Sequence, residues 1–339
     1  MNKLTFILLT FFYAQTLFAR TLPDKNIIPP PLKSGDKVAI LSPSYAVSTD
    51  RLSHIDSLLR SRGYEPVIYP TATLSPDNPI HGGTARQRAQ DLMDAFKDPS
   101  IKAIIPTRGG YGASQMLPYL DLKVIHDNPK WLTGYSDISA LHAFMNAAGV
   151  ASIHGAMGNT IASTDSLQQR SFDDMEKILT TSTPMDISIQ SSKYNRHGQA
   201  SGKLLGGNFI VVNNLAQTDW DMFGEALNQP VILFVEEVGE KIYAVERMLH
   251  RLNQSGILKN VHGLIFAEFT EYDPDADHSS MEEMISDWLT EYGFPIQGSP
   301  IPIIFNFPAG HDRLNLPLVE GVNATLTSTA SGTSLNYKP

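Results

Sequence analysis

The chain has no cysteine in its 339 residues. Disulfides, thiolate zinc sites, iron–sulfur clusters and cysteine nucleophiles are therefore excluded, and any covalent catalysis must use oxygen or nitrogen. A dense Lys/Arg run is also missing: with 26 basic against 35 acidic residues the formal charge is -9, which argues against a phosphate-backbone partner. Neither the Gly-x-Gly-x-x-Gly order of a dinucleotide site nor a Walker phosphate loop occurs. The longest apolar stretch, Leu4 to Phe18, is too short and too interrupted for a membrane span, which needs about 20 apolar residues.

What is present belongs to a globular chain, 42% hydrophobic and 18% charged, long enough for two domains or one large one. Lys3, the apolar run, and Ala19 before Arg20 read as a secretory signal peptide over residues 1–19, so export to a periplasm is expected. Residues 20–33, with Pro23 and Pro29 to Pro31, make an extended lead-in.

From Lys37 the pattern alternates. Buried-strand runs at 37–43, 65–69, 101–106, 131–133 and 150–154 are separated by helical patterns, the first of them capped by Thr49-Asp50. Such alternation predicts an α/β domain over 34–180, a parallel sheet with helices on both faces. A Ser/Thr/Asn/Gln-rich linker is expected over 181–200, followed by an α+β domain over 201–339.

Ligands of parallel sheets sit beyond the strand C-termini, and two motifs fall there. Gly134-Tyr135-Ser136-Asp137 places a serine at a strand-to-helix corner, where a hydroxyl stands clear of the backbone beside the first helical amides. Ile138 occupies the position of the second glycine in a Gly-x-Ser-x-Gly elbow, and a helix N-cap serine is the alternative reading. Arg108-Gly109-Gly110-Tyr111-Gly112 lets backbone amides approach a ligand closely; it could supply a second oxyanion donor, with Arg108 and Tyr111 as candidate substrate contacts. A tight turn with an exposed arginine is the plainer reading.

A serine nucleophile needs a base, and the base an orienting carboxylate. The run Val231 to Val235 ends in Glu236-Glu237, and Ile303 to Gly310 ends at His311. Other matches fail on chemistry. Ser34-Gly35-Asp36-Lys37 leads into a strand, so no helical turn brings the lysine beneath the serine. Asp273-Pro274-Asp275-Ala276-Asp277 is followed by His278 where a calcium loop requires glycine. His81, His142 and His154 show no metal-ligand spacing, so neither metal nor other cofactor is assigned.

Together, Arg108 to Gly112, Gly134 to Asp137, His154-Gly155, Leu205-Gly206-Gly207-Asn208, Phe234 to Glu240 and Gly310-His311 resemble the LD-carboxypeptidase family of serine peptidases. The likeness runs from about Pro31 to the C-terminus. It implies a Rossmann-like or flavodoxin-like N-terminal domain, a C-terminal domain with a small β-barrel, and commonly a homodimer. It also implies a Ser136, Glu236, His311 triad with Gly110 and Asp137 amides as oxyanion donors. In the family the first acid of the pair after the strand is the triad member, but Glu237 stands here where aspartate is usual, which leaves open which acid faces the histidine. The substrates implied are a peptidoglycan stem peptide ending in D-alanine or, for the microcin-immunity branch, an aminoacyl-nucleotide; a non-catalytic peptidoglycan-binding protein on the same fold is a third possibility.

Overall fold

A computed structural model describes residues 26–75, 78–294 and 301–338. The expected signal peptide lies outside them. Within the described residues no helix is long and apolar enough to cross a membrane.

Five strands, β1 (Lys37–Leu41), β2 (Glu65–Ile68), β3 (Ile101–Pro106), β4 (Trp131–Gly134) and β5 (Ser152–His154), run parallel in the order β2-β1-β3-β4-β5. This is the flavodoxin-like order of a doubly wound sheet. Alternation along β1 shows why both faces are covered. Val38 and Ile40 point into one core with Ile55 and Leu59 of α1 (Thr49–Ser61), and with Phe172 and Met175 of α6 (Ser166–Thr181). Ala39 and Leu41 point the other way, to Leu92 and Phe96 of α2 (Ala85–Lys97), Ile125 of α3 (Leu122–Asp127) and Phe144 of α4 (Ser139–Ala147). A short helix, α5 (Gly158–Ile161), joins β5 to α6. The first helix is capped by Ser48, whose hydroxyl accepts from the Arg51 amide at 3.3 Å, one residue earlier than the Thr49-Asp50 expectation.

The remaining described residues form β6 (Ile187–Ile189), β7 (Gly198–Asn208), β8 (Val231–Val238), β9 (Gly263–Thr270), β10 (Ile303–Phe305), β11 (Leu318–Glu320), β12 (Asn323–Thr329) and β13 (Gly332–Tyr337). Three helices accompany them: α7 (Phe209–Asn214), α8 (Ile242–Gln254) and α9 (Met281–Glu291). Seven of the strands make a mixed sheet in the order β10-β9-β8-β7-β12-β13-β6. β6 and the start of β7 fall in the stretch read as linker.

Among the described residues this ladder does not close into the expected small barrel. β10 and β6 are its two ends, and the free edge of β10 meets only a single bridge from Arg196. One face of the sheet packs Phe234, Ile304, Leu326 and Leu335 into a core of its own. Its other face contributes Leu205, Leu233 and Val235 to the core that already holds α2, α3 and α4. The two sheets thus share one apolar interior, with α4 between them. β11 tightens the junction by pairing antiparallel with β5, Leu318 opposite His154 and Glu320 opposite Ser152.

Candidate active site

The serine corner follows from how β4 ends. Trp131 and Leu132 pair with Ala103 and Ile104, Gly134 with His154, and the chain then breaks into a 3-10 turn, Ser136–Ile138, before α4. Ser136 sits at φ 64°, a left-handed conformation that costs an ordinary residue about 1 to 3 kcal/mol and persists only where its surroundings enforce it. Those surroundings are visible. Gly134 turns at φ 133°, and a Cβ there would lie 2.9 Å from the buried Ile138 side chain. Ile138, which breaks the elbow motif, is therefore the plug that packs over the turn. On the other side Gly109 abuts the serine: a Cβ would stand 2.9 Å from Ser136 Cβ and 3.1 Å from its Oγ. The serine is left half-buried, at the mouth of a cavity of about 410 Å³ that Gly110, Tyr111, Asp137, Asn208 and Glu237 also line. A wider cavity of about 880 Å³ beside α3 and α4 holds none of the candidate residues.

His311 and Glu236 come from the second sheet. Glu236 is the sixth residue of β8, fully buried, and its Oε2 lies 2.7 Å from His311 Nδ1. Bonding at Nδ1 leaves Nε2 as the nitrogen available for proton transfer. The imidazole stacks edge-on against Tyr135, ring centroids 5.0 Å apart, so the acid–histidine pair lies beside the residue preceding Ser136. Burial weakens proton binding at His311, but the charge and hydrogen bond of Glu236, aided by Glu237 and Glu271, outweigh it and raise the imidazole above its ordinary value. Glu237 points elsewhere: it accepts from the Asn208 side chain at 3.0 Å and from the amides of Ile210 at 2.7 Å and Val238 at 3.0 Å, and burial pushes it up to about 7. Strand alternation separates the two acids, and the one facing the histidine is Glu236.

Arg108 stands apart from this group. Its guanidinium lies over the Tyr45 ring at 5.5 Å and lines a neighbouring groove with Asn159, whereas Tyr111 is 54% exposed on the rim of the serine cavity. Asp137 was expected to matter through its amide, yet its side chain is buried, accepting from Ser44 Oγ at 2.5 Å and the Ala113 amide at 2.8 Å. Asn208, which the Leu205-Gly206-Gly207-Asn208 motif marks without giving it a role, caps α7 and donates to Glu237.

Behind Tyr135 lies one polar cluster. His142, His154 and Glu320 are buried and bring possible ligand atoms within 4.8 Å of one another. Burial, with the neighbouring His142 and His311, holds His154 well below its ordinary value, and burial raises Glu320 well above. His142 already engages both ring nitrogens, with Ser152 Oγ at 2.8 Å and the Gly134 carbonyl at 2.9 Å. Two donors remain, fewer than the three or four protein ligands of a zinc site.

Comparison with known proteins gives the family. Models of the LD-carboxypeptidase N-terminal and C-terminal domains match residues 38–155 and 201–326. A Synechocystis relative named provisionally as a carboxypeptidase is 30% identical over 314 residues, covering 91% of this chain and 97% of its own. The murein tetrapeptide carboxypeptidase of Pseudomonas aeruginosa is 29% identical, with 86% of this chain and 92% of the relative aligned. Among solved structures, the microcin C7 self-immunity protein MccF in complex with aspartyl sulfamoyl adenosine superposes with a TM-score of 0.79 over 92% of this chain and 99% of its own, at 22% identity.

Proposed function

The chain belongs to the LD-carboxypeptidase family and is a serine carboxypeptidase; from that premise we propose that it releases C-terminal D-alanine from a murein tetrapeptide by a Ser136, His311, Glu236 acyl-enzyme mechanism. The observation that carries this reading is the 2.7 Å bond between His311 and Glu236 beside the left-handed Ser136 corner.

His311 Nε2 takes the Ser136 proton, and Glu236, bonded at Nδ1, stabilises the imidazolium that forms. The serine oxygen attacks the carbonyl carbon of the L-configured residue preceding D-alanine. The Gly110 and Asp137 amides then receive the oxyanion, the latter because the first amides of a helix have no intrahelical acceptor. Collapse breaks the C–N bond, His311 protonates the departing amine, and water repeats the sequence on the ester. The acidic cavity around Ser136 and Arg108 in the adjoining groove suit a zwitterionic peptide. The N-terminal apolar run favours action on the periplasmic side, and a homodimer is the assembly the family suggests.

The test is D-alanine release from purified tetrapeptide by wild type and Ser136→Ala. Release by wild type and its loss in the variant are expected; no release by wild type, or equal release by both, contradicts the proposal. Likeness to MccF favours a second reading, cleavage of an aminoacyl-nucleotide conjugate, and incubation with such a conjugate separates the two substrates.

A further inference from the structure

Three loops meet around Ser136, and two buried charged side chains tie them together. The Asp137 carboxyl, 4% exposed, accepts from Ser44 on the loop after β1 and from the Ala113 amide at the end of the loop after β3. Arg88 reaches the same place from α2, 1% exposed. It donates to the carbonyls of Pro43, of Gly112 at 3.0 Å and of Gly83 at 3.3 Å, and to the Gln115 side chain at 2.9 Å. His81 holds the Tyr111 carbonyl at 2.9 Å. The side-chain tethers of the segment from Tyr111 to Ala113 thus run to Asp137, Arg88 and His81, and Gly110 at its tip lies at φ 123° close against the Tyr45 ring. Charged groups this deeply buried are costly unless paired and hydrogen-bonded. Here Arg88 donates to three backbone carbonyls and Asp137 accepts from one backbone amide and one hydroxyl, on loops that border the nucleophile.

We propose that Asp137, with Arg88 as its counter-charge, is a positioning residue that fixes the loop from Arg108 to Ala113 against Ser136 and so aims the Gly110 amide at the oxyanion. This rests on the reading of Ser136 as nucleophile and of Gly110 as oxyanion donor. The backbone amide of Asp137 and its side chain then act together, one donating directly and the other holding the second donor in place. Loss of the carboxyl frees Ser44 and Ala113 at once, so the loop loses its anchor while the Ser136, His311 and Glu236 side chains stay intact. The effect falls on the transition state, where the hole is used, more than on substrate binding.

The test compares wild type, Asp137→Ala, Asp137→Asn and Ser44→Ala by D-alanine release, by the rate of Ser136 labelling with a fluorophosphonate, and by melting temperature. Asp137→Ala is expected to lower kcat about 100-fold, the size of losing one oxyanion donor, with KM within about threefold. Asp137→Asn keeps the shape and an acceptor for Ala113, and should recover all but about tenfold of kcat. A folded Asp137→Ala with kcat within threefold of wild type overturns the proposal, as does a change carried by KM alone. If Asp137→Ala does not fold, Ser44→Ala decides: a tenfold lower kcat supports the clamp and an unchanged kcat overturns it. Wild type that labels but releases no D-alanine counts against the substrate assignment, and the labelling rates still read the clamp. Wild type that does not label overturns both.

Discussion

Ser136 and His311 come from the ends of different sheets, with Tyr135 beside the imidazole, and they are held in different ways. The serine is fixed by backbone shape: φ 64° at the corner, Ile138 over Gly134, Gly109 against its side chain. The histidine is fixed by charge, through the 2.7 Å bond to a fully buried Glu236. The first half therefore responds to steric change and is indifferent to pH, while the second tolerates small volume changes and depends on protonation.

Removing the charge is expected to do the most damage. Glu236→Gln should lower kcat by about 10³- to 10⁴-fold, as loss of the orienting acid does in other triads. Its pH dependence gives the sign. A base must be neutral to act, and Glu236 raises the His311 value, so kcat/KM of wild type rises through a pH above the ordinary histidine range. In the variant this limb should move to lower pH, and a pH profile with an unmoved limb would count against the pairing.

The steric half is probed by Gly109→Ala. A methyl 2.9 Å from Ser136 Cβ forces the corner to shift, and a loss of about 10- to 100-fold in kcat is expected with no displacement of the pH profile. Wild-type kinetics in this variant would mean that the serine's position is not set by the loop.

The smallest effect concerns the acid that does not face the histidine. Glu237 titrates at about 7 in the fold against 4.5 in the unfolded chain, so the folded state holds the extra proton between those values and stability falls as pH rises through them. Glu237→Gln removes that fall. Relative to wild type it should gain up to roughly 3 kcal/mol between pH 4.5 and pH 8, read from denaturant unfolding at the two pH values. A difference independent of pH would show that Glu237 is not a buried titrating group.

Much of this was legible in the residues. The alternation from Lys37 to His154 predicts the doubly wound sheet, because strands buried on both faces and amphipathic helices have distinct periods. The place of Ser136 just beyond β4 could be read in the same way, whereas Glu236 lies inside β8 and His311 in the loop beyond β10. What periodicity cannot convey is pairing between distant segments. The return of Leu318 to Glu320 to the edge of β5, the open seven-stranded sheet, and the direction of Glu236 against Glu237 all depend on register. Arg88 was hidden for a related reason. In sequence it is one more polar residue of an amphipathic helix; its burial follows only from where the loops after β1 and β3 converge.

The joint claim is that a shape-held serine is activated by a charge-held histidine from the other sheet. Fluorophosphonate labelling with peptide mapping, on wild type and His311→Ala, measures it most directly. Stoichiometric modification of Ser136 in wild type, slowed at least about 100-fold in the variant, is the predicted result. Label on another residue, or equal rates in the two proteins, would contradict it.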